Sequence, residues 1–140
     1  MRNIYLLSIT SLFADVAGEM VIPILPFFFT VELGLPVALL GVIESFADAV
    51  GTFLRVFFGY ASDRLHKRKI FVVGGYAAAM TGKLFLSLAA MWPAVLIARL
   101  LDRTGKGFRT APRDALIASS VTTEKRAGMF GFHRMMDTLG

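Results

Sequence analysis

The chain has 140 residues, 56% of them hydrophobic, with 13 phenylalanines, no cysteine and a formal net charge of +5. An apolar share above the roughly 45–50% of soluble domains, with a mean hydropathy of +0.65, points to a membrane protein, and the missing cysteines exclude disulfides and thiolate metal sites. The basic residues fall between long apolar runs, not on one soluble face, so nucleic acid is excluded and a lipid bilayer is the expected partner.

Four spans are predicted, Ile4–Phe29, Val37–Tyr60, Ile70–Met91 and Pro93–Ala118, and a fifth helix opens near Gly128. Each of the four reaches the roughly 20 helical residues that a bilayer core requires. Strand-like alternation is lacking, so the expected class is an all-α membrane protein. Met1-Arg2-Asn3, the run Ile4–Ala14 and the small residues Ala17 and Gly18 loosely resemble a signal peptide. The apolar run Val21–Phe29 follows at once, however, and the two runs make one span.

In the first span Asp15 and Glu19 share a helix face with Ser8 and Ser11. Two central acids cost roughly 5–7 kcal/mol on insertion, against about −0.3 to −0.6 for each large aliphatic residue or phenylalanine. A helix so marginal does not turn its acids to lipid; they are expected to face a bundle interior or water. Pro23 and Pro26 are expected to bend its outer half.

In the second span Glu44, Asp48, Gly51, Arg55 and Gly59 fall within about 80° on a helical wheel. Asp48 and Arg55 can form a structural ion pair across two turns, with the glycines admitting another helix. Glu44 and Asp48 can instead act as neighbouring carboxylates that share a proton. Lys83 is the lone charge of the third span, with Tyr76 and Ser87 on its side. It needs a partner, expected among the acids of the first two spans, or it contacts substrate.

The fourth span gathers Arg99, Asp102, Arg103, Lys106, Thr110, Arg113 and Asp114 within about 120°. Such a face must line an aqueous path. Arg109 and Arg113 are expected to snorkel to the head groups, Gly105 and Gly107 to admit a neighbouring helix, and Pro112 to end or kink the span. Beyond it, His133 and Asp137 stand at i, i+4 beside Arg134, able to pair, relay a proton or simply pack. A helix from Gly128 to Gly140 is too short to cross a bilayer at ~1.5 Å per residue, so the chain reads as the front of something longer.

Arg2, then Arg64, Lys67, Arg68 and Lys69, then Lys125 and Arg126, fall on one side of the predicted spans. The opposite loops, Glu32–Pro36 and Met91–Pro93, carry no basic residue, which puts the N-terminus in the cytoplasm, with Trp92 as an interfacial anchor on the other side. Gly105-Lys106-Gly107 lacks the remaining residues of a phosphate loop. His66 and His133 have no metal-ligand spacing, and no nucleophile–base pattern is present. No enzyme, metal or cofactor is expected.

The loop Gly59-x-x-x-Asp63-Arg64-x-x-Lys67-Arg68-Lys69 resembles the cytoplasmic signature of the major facilitator superfamily of secondary transporters, which occupies the same loop there. His66 stands where a second glycine is usual, which predicts a less tight turn. Arg99 and Gly105 match a later motif of that family, whereas Asp102 and Arg103 occupy an amide and a glycine position. The stretches Asp102–Ala118 and Gly131–Gly140 are similar to a prokaryotic branch of it.

The resemblance implies a bundle of about twelve helices in two halves, with the substrate between the halves at mid-membrane. This chain would supply four helices and the start of a fifth. Its partners would be a small-molecule substrate and the missing C-terminal part of the same carrier, in the inner cell membrane. The resemblance also implies a conformational gate at Gly59, Asp63, Arg64, Lys67 and Arg68, with Asp63 docking against a helix of the second half. A carboxylate there is favourable by about 0.3–1 kcal/mol, weak enough to be reversible. The expected activity is transport of a small solute by alternating access coupled to protons. Asp15, Glu19, Glu44 and Asp48 would bind proton or substrate, with Lys83 and Asp137 as further candidates, and Arg99 and Arg103 would modulate them or bind an anion. A small or truncated membrane subunit without transport of its own, and a passive pore, are the rival readings.

Overall fold

In this computed structural model, which describes residues 2–120 and 123–139, the helices follow the apolar runs and most of the breaks fall beside proline, glycine or one histidine. Helix α1 covers Arg2–Glu19. Pro23 and Pro26 carry no N–H, so the regular i to i−4 ladder cannot continue through them. The carbonyls of Gly18, Glu19 and Val21 instead accept tighter bonds from the N–H groups of Val21, Ile22 and Ile24, at 3.3, 3.2 and 3.1 Å. Helix α2 resumes at Ile24–Phe27 and widens into a π-helical turn over Phe28–Glu32. The first span is therefore broken rather than merely bent.

Helix α3 covers Val37–Leu65 and α4 covers Arg68–Ser87. The basic motif is thus largely helical, and only His66 and Lys67 make the turn. His66 adopts φ 54° and ψ 21°, the left-handed conformation that glycine occupies most cheaply. The expectation of a looser turn is corrected: the histidine takes the glycine conformation at a cost of about 1 kcal/mol, and the turn stays tight. Helix α5, Trp92–Ser119, passes through Pro112 without ending there. Helix α6, Thr123–Leu139, begins before Gly128. Gly140 and the side chains of Arg2, Lys125 and Arg126, which belong to the charge asymmetry, lie outside the described residues.

Segments Tyr5–Glu32, Val37–Leu65 and Arg68–Ser87 are each long and apolar enough to cross a membrane. Helix α5 has the length but carries the charges, and it packs between α3 and α4, while α1 rests on α6. Glycines let α5 in. A methyl group on Gly107 would strike the Gly51 carbonyl of α3, and one on Gly105 would lie 2.6 Å from the Gly75 carbonyl of α4. Helix backbones in contact leave no room for a Cβ, which is how small residues bring membrane helices together.

The result is a molecule with large apolar side chains outside. Phe53 and Val56 of α3 are 73% and 74% exposed. Inside, an apolar cluster of Leu25, Phe29, Leu40, Ile43 and Val95 fills the end opposite the basic turn. The rest of the interior mixes apolar residues, Ala47, Val72, Ala79, Ala98 and Ile117, with a set of buried polar and charged ones.

Candidate functional site

Helix α5 organises that polar interior. Its charged residues recur every three or four positions, so a single face meets α1, α3 and α4. Arg99, 3% exposed, grips Glu44 of α3 with two parallel bonds, Nε to Oε1 at 2.5 Å and Nη2 to Oε2 at 2.6 Å. Arg103 reaches the same carboxylate at 3.3 Å, and its Nε lies 2.9 Å from Asp48. That second contact is close enough for an ion pair but is not aligned as a hydrogen bond.

Lys83 donates to Asp102 at 2.8 Å, and Asp102 also faces Arg99 at 3.7 Å. On α1, Asp15 accepts from Arg109 Nη2 at 3.0 Å and lies 3.5 Å from Lys106. The Arg109 guanidinium also sits over the Tyr76 ring, 4.3 Å from its centroid.

A second cluster joins α6 to α1 and α5. Arg113 pairs with Asp137 at 2.8 Å and donates to Ser11 Oγ at 2.5 Å, while Ser11 donates to Asp137 at 2.6 Å. His133 Nδ1 bonds Ser8 at 3.0 Å, and its Nε2 is 3.8 Å from Asp137. Ser8, Ser11, Arg113 and His133 are all buried.

The expected site residues therefore split. Asp15, Glu44, Asp48, Lys83, Arg99 and Arg103 come together in the α5 network, whereas Asp137 belongs to the α6 cluster. Glu19 lines the same recess as the network but is exposed and makes no ion pair among the described residues. Of the signature residues, Asp63 pairs with Arg68 at 2.8 Å, not with Arg64, which donates to Tyr60 at 3.3 Å. Lys67 is exposed, and Gly59 faces Ala111 of α5, where an added methyl would approach to 3.0 Å.

Three expectations are corrected. Asp48 pairs with Arg103, while Arg55 is exposed and has no ion pair among the described residues, because α5 brings a guanidinium nearer than the same helix does two turns away. Lys83 finds its partner on α5 and not among the acids of α1 or α3. Arg109 and Arg113 do not snorkel; they are 2% and 3% exposed, held by Asp15 and Asp137. The signal for Arg109 was present: it stands seven residues after Asp102, two helical turns along the same face.

The family model of the Major Facilitator Superfamily matches residues 7–140. The chain belongs to the Major Facilitator Superfamily. It is a multi-pass membrane protein of that superfamily, built of α-helices. Over 139 residues it is 43% identical to an uncharacterised MFS-type transporter of Methanocaldococcus jannaschii, covering 99% of this chain and 34% of that protein. Uncharacterised proteins of Mycobacterium bovis and Mycobacterium tuberculosis are 26% identical over 110 residues, which is 78% of this chain and 27% of theirs. The chain thus spans about a third of the length of its archaeal relative and about a quarter of the mycobacterial ones. No solved structure matches it.

Proposed function

We propose that this chain works within a longer carrier that moves a small solute across the inner cell membrane by alternating access, coupled to protons. One observation carries the reading: α5 presents its charged face to α1, α3 and α4 inside a molecule whose exterior is apolar. Membrane-embedded charges are costly and concentrate on pathways for substrates and protons. A purely structural bundle would be expected to avoid that cost with apolar packing.

Among the proton-coupling candidates, Glu19 is the carboxylate best suited to exchange a proton, since it faces the recess without an ion pair among the described residues. Asp15, Glu44 and Asp48 exchange arginine partners as the helices move. Asp63, exposed and paired among the described residues only with Arg68, is free to dock on another segment as a gate. The proposed orientation keeps the N-terminus and the His66 turn in the cytoplasm.

The test uses the native polypeptide that carries this chain, reconstituted in vesicles. Gradient-driven solute uptake that loses its proton dependence in Glu19→Gln supports the reading. Passive ion conductance without coupling would establish a pore instead. Proton-coupled uptake unchanged in Glu19→Gln, Glu44→Gln and Asp48→Asn would remove these acids from the mechanism.

A further inference from the structure

The α6 cluster holds a titratable group that the proposed mechanism leaves unused. His133 is buried, and its ring is answered on one side only. Nδ1 and the Ser8 hydroxyl, 3.0 Å apart, share a hydrogen bond. Nε2 is buried with no hydrogen-bond partner among the described residues, and Oδ1 of Asp137 lies 3.8 Å away.

Neither neutral tautomer suits those surroundings. With the hydrogen on Nε2, a buried donor goes unused. With the hydrogen on Nδ1, donated to Ser8, a bare lone pair on Nε2 faces a carboxylate oxygen. The imidazolium resolves both, since each nitrogen then donates, and Nε2 and Asp137 need to approach by only about 1 Å to bond.

The charges around the ring permit that approach. On α6 itself stand Asp137 and Arg134, the latter exposed and without an ion pair among the described residues. From α5 come Arg113, 2.8 Å from Asp137, and Asp114, 3.6 Å from Arg113. Helix α1 contributes the hydroxyls of Ser8 and Ser11, while its Asp15 is held by Arg109 and its Tyr5 packs on Phe132. One buried guanidinium, Arg113, therefore stands between two carboxylates. Burial and Arg113 oppose a charge on the ring as it stands. The imidazolium becomes favourable once Asp137 turns to it and Arg113 turns to Asp114.

A proton has a way in. The Asp137 side chain is 16% exposed, against 2% for the ring. A proton taken up on its Oδ1 can pass to the bare Nε2 of the Nδ1–H tautomer, which leaves a carboxylate paired with an imidazolium.

We propose that His133 is a proton-operated latch: on binding a proton it takes Asp137 from Arg113, and Arg113 passes to Asp114. His133 and Asp137 are the α6 side chains bonded to Ser8 and Ser11 of α1, so the exchange resets the grip of α6 on α1. The latch is separate from the acids of the α5 network and does not depend on the transporter reading.

The experiment is solid-state NMR of the native polypeptide in lipid vesicles, isotope-labelled at its histidine ring nitrogens and aspartate carboxyl carbons. The His133 signal is the one lost in His133→Gln. Ser8→Ala, which removes only the Nδ1 partner, identifies it by displacement if that variant does not fold. The ring is expected to change from neutral imidazole to imidazolium between about pH 8 and about pH 5. Over the same range its Nε2 is expected to move about 1 Å closer to an aspartate carboxyl, in a contact that is lost in Asp137→Asn. A ring that stays neutral, or stays charged, across the range overturns the inference. So does a ring that titrates while its distance to Asp137 is unchanged.

Discussion

The two ends of the interior are built on opposite principles. At the end away from the basic turn, Leu25, Phe29, Leu40, Ile43 and Val95 pack as an apolar plug between α2, α3 and α5. Toward the basic turn, α1, α3 and α4 meet α5 through ion pairs, Glu44–Arg99, Asp48–Arg103, Asp102–Lys83 and Asp15–Arg109. The contrast teaches which contacts hold this molecule together. In lipid, moving a leucine from the exterior to the interior gains little, because both surroundings are apolar. A charge has no such alternative, so the ion pairs dictate which helix faces must meet.

Breaking that contrast gives the largest predicted effect. Arg99→Met leaves Glu44 without its bidentate partner and is expected to destabilise the bundle by about 3–5 kcal/mol in detergent unfolding. Adding Glu44→Leu to it is expected to restore most of the loss. If the single variant unfolds like the native protein, the ion pairs do not hold the helices.

Gly107→Ala probes the backbone approach on which those pairs depend. The new methyl meets the Gly51 carbonyl, which cannot move without shifting α3. A loss of about 2–3 kcal/mol is expected, whereas Gly41→Ala, with no described residue within 4 Å of the added carbon, is expected to be neutral or slightly stabilising in the same assay.

Phe29→Ala tests the apolar plug. The same change costs about 3–5 kcal/mol in a water-soluble core, but without the water-transfer part only packing is lost, so about 1–2 kcal/mol is expected. A larger loss than for Arg99→Met would reverse the ranking of the two ends.

Smaller effects belong to the turn between α3 and α4. His66→Gly is expected to stabilise by about 1 kcal/mol, since glycine takes the left-handed conformation freely. Asp63→Asn removes an exposed pair and is expected to change stability by less than about 1 kcal/mol. Any large change of uptake in that variant then reports on the proposed gate and not on folding.

Much of this was legible beforehand. The apolar runs mark the helices, and the three-and-four spacing of Arg99, Asp102, Arg103, Lys106 and Arg113 marks one charged face. Spacing along one helix cannot say which neighbour answers each charge. Spacing along α3 pairs Asp48 with Arg55, yet the helix next to it carries the nearer guanidinium. The order of the spans points Lys83 to the acids of α1 and α3, although Gly82 lets the α5 backbone come close enough for Asp102 to meet it. The break at Met20–Pro23 was only half visible. Two prolines announce a disturbance, but whether a helix bends or stops depends on which carbonyls find other donors.

The sequence alone determined the family, the α-helical membrane class and the presence of a polar interior. Those follow from composition, motif and period, which are properties of the chain read in order. The tertiary structure decided the pairings: that Asp15 holds Arg109, that Arg109 and Arg113 are buried instead of reaching the head groups, and that His66 adopts a glycine conformation. The reason is physical. A charge inside a membrane bundle takes the nearest opposite charge in space, and nearness is set by where glycines let helix backbones touch.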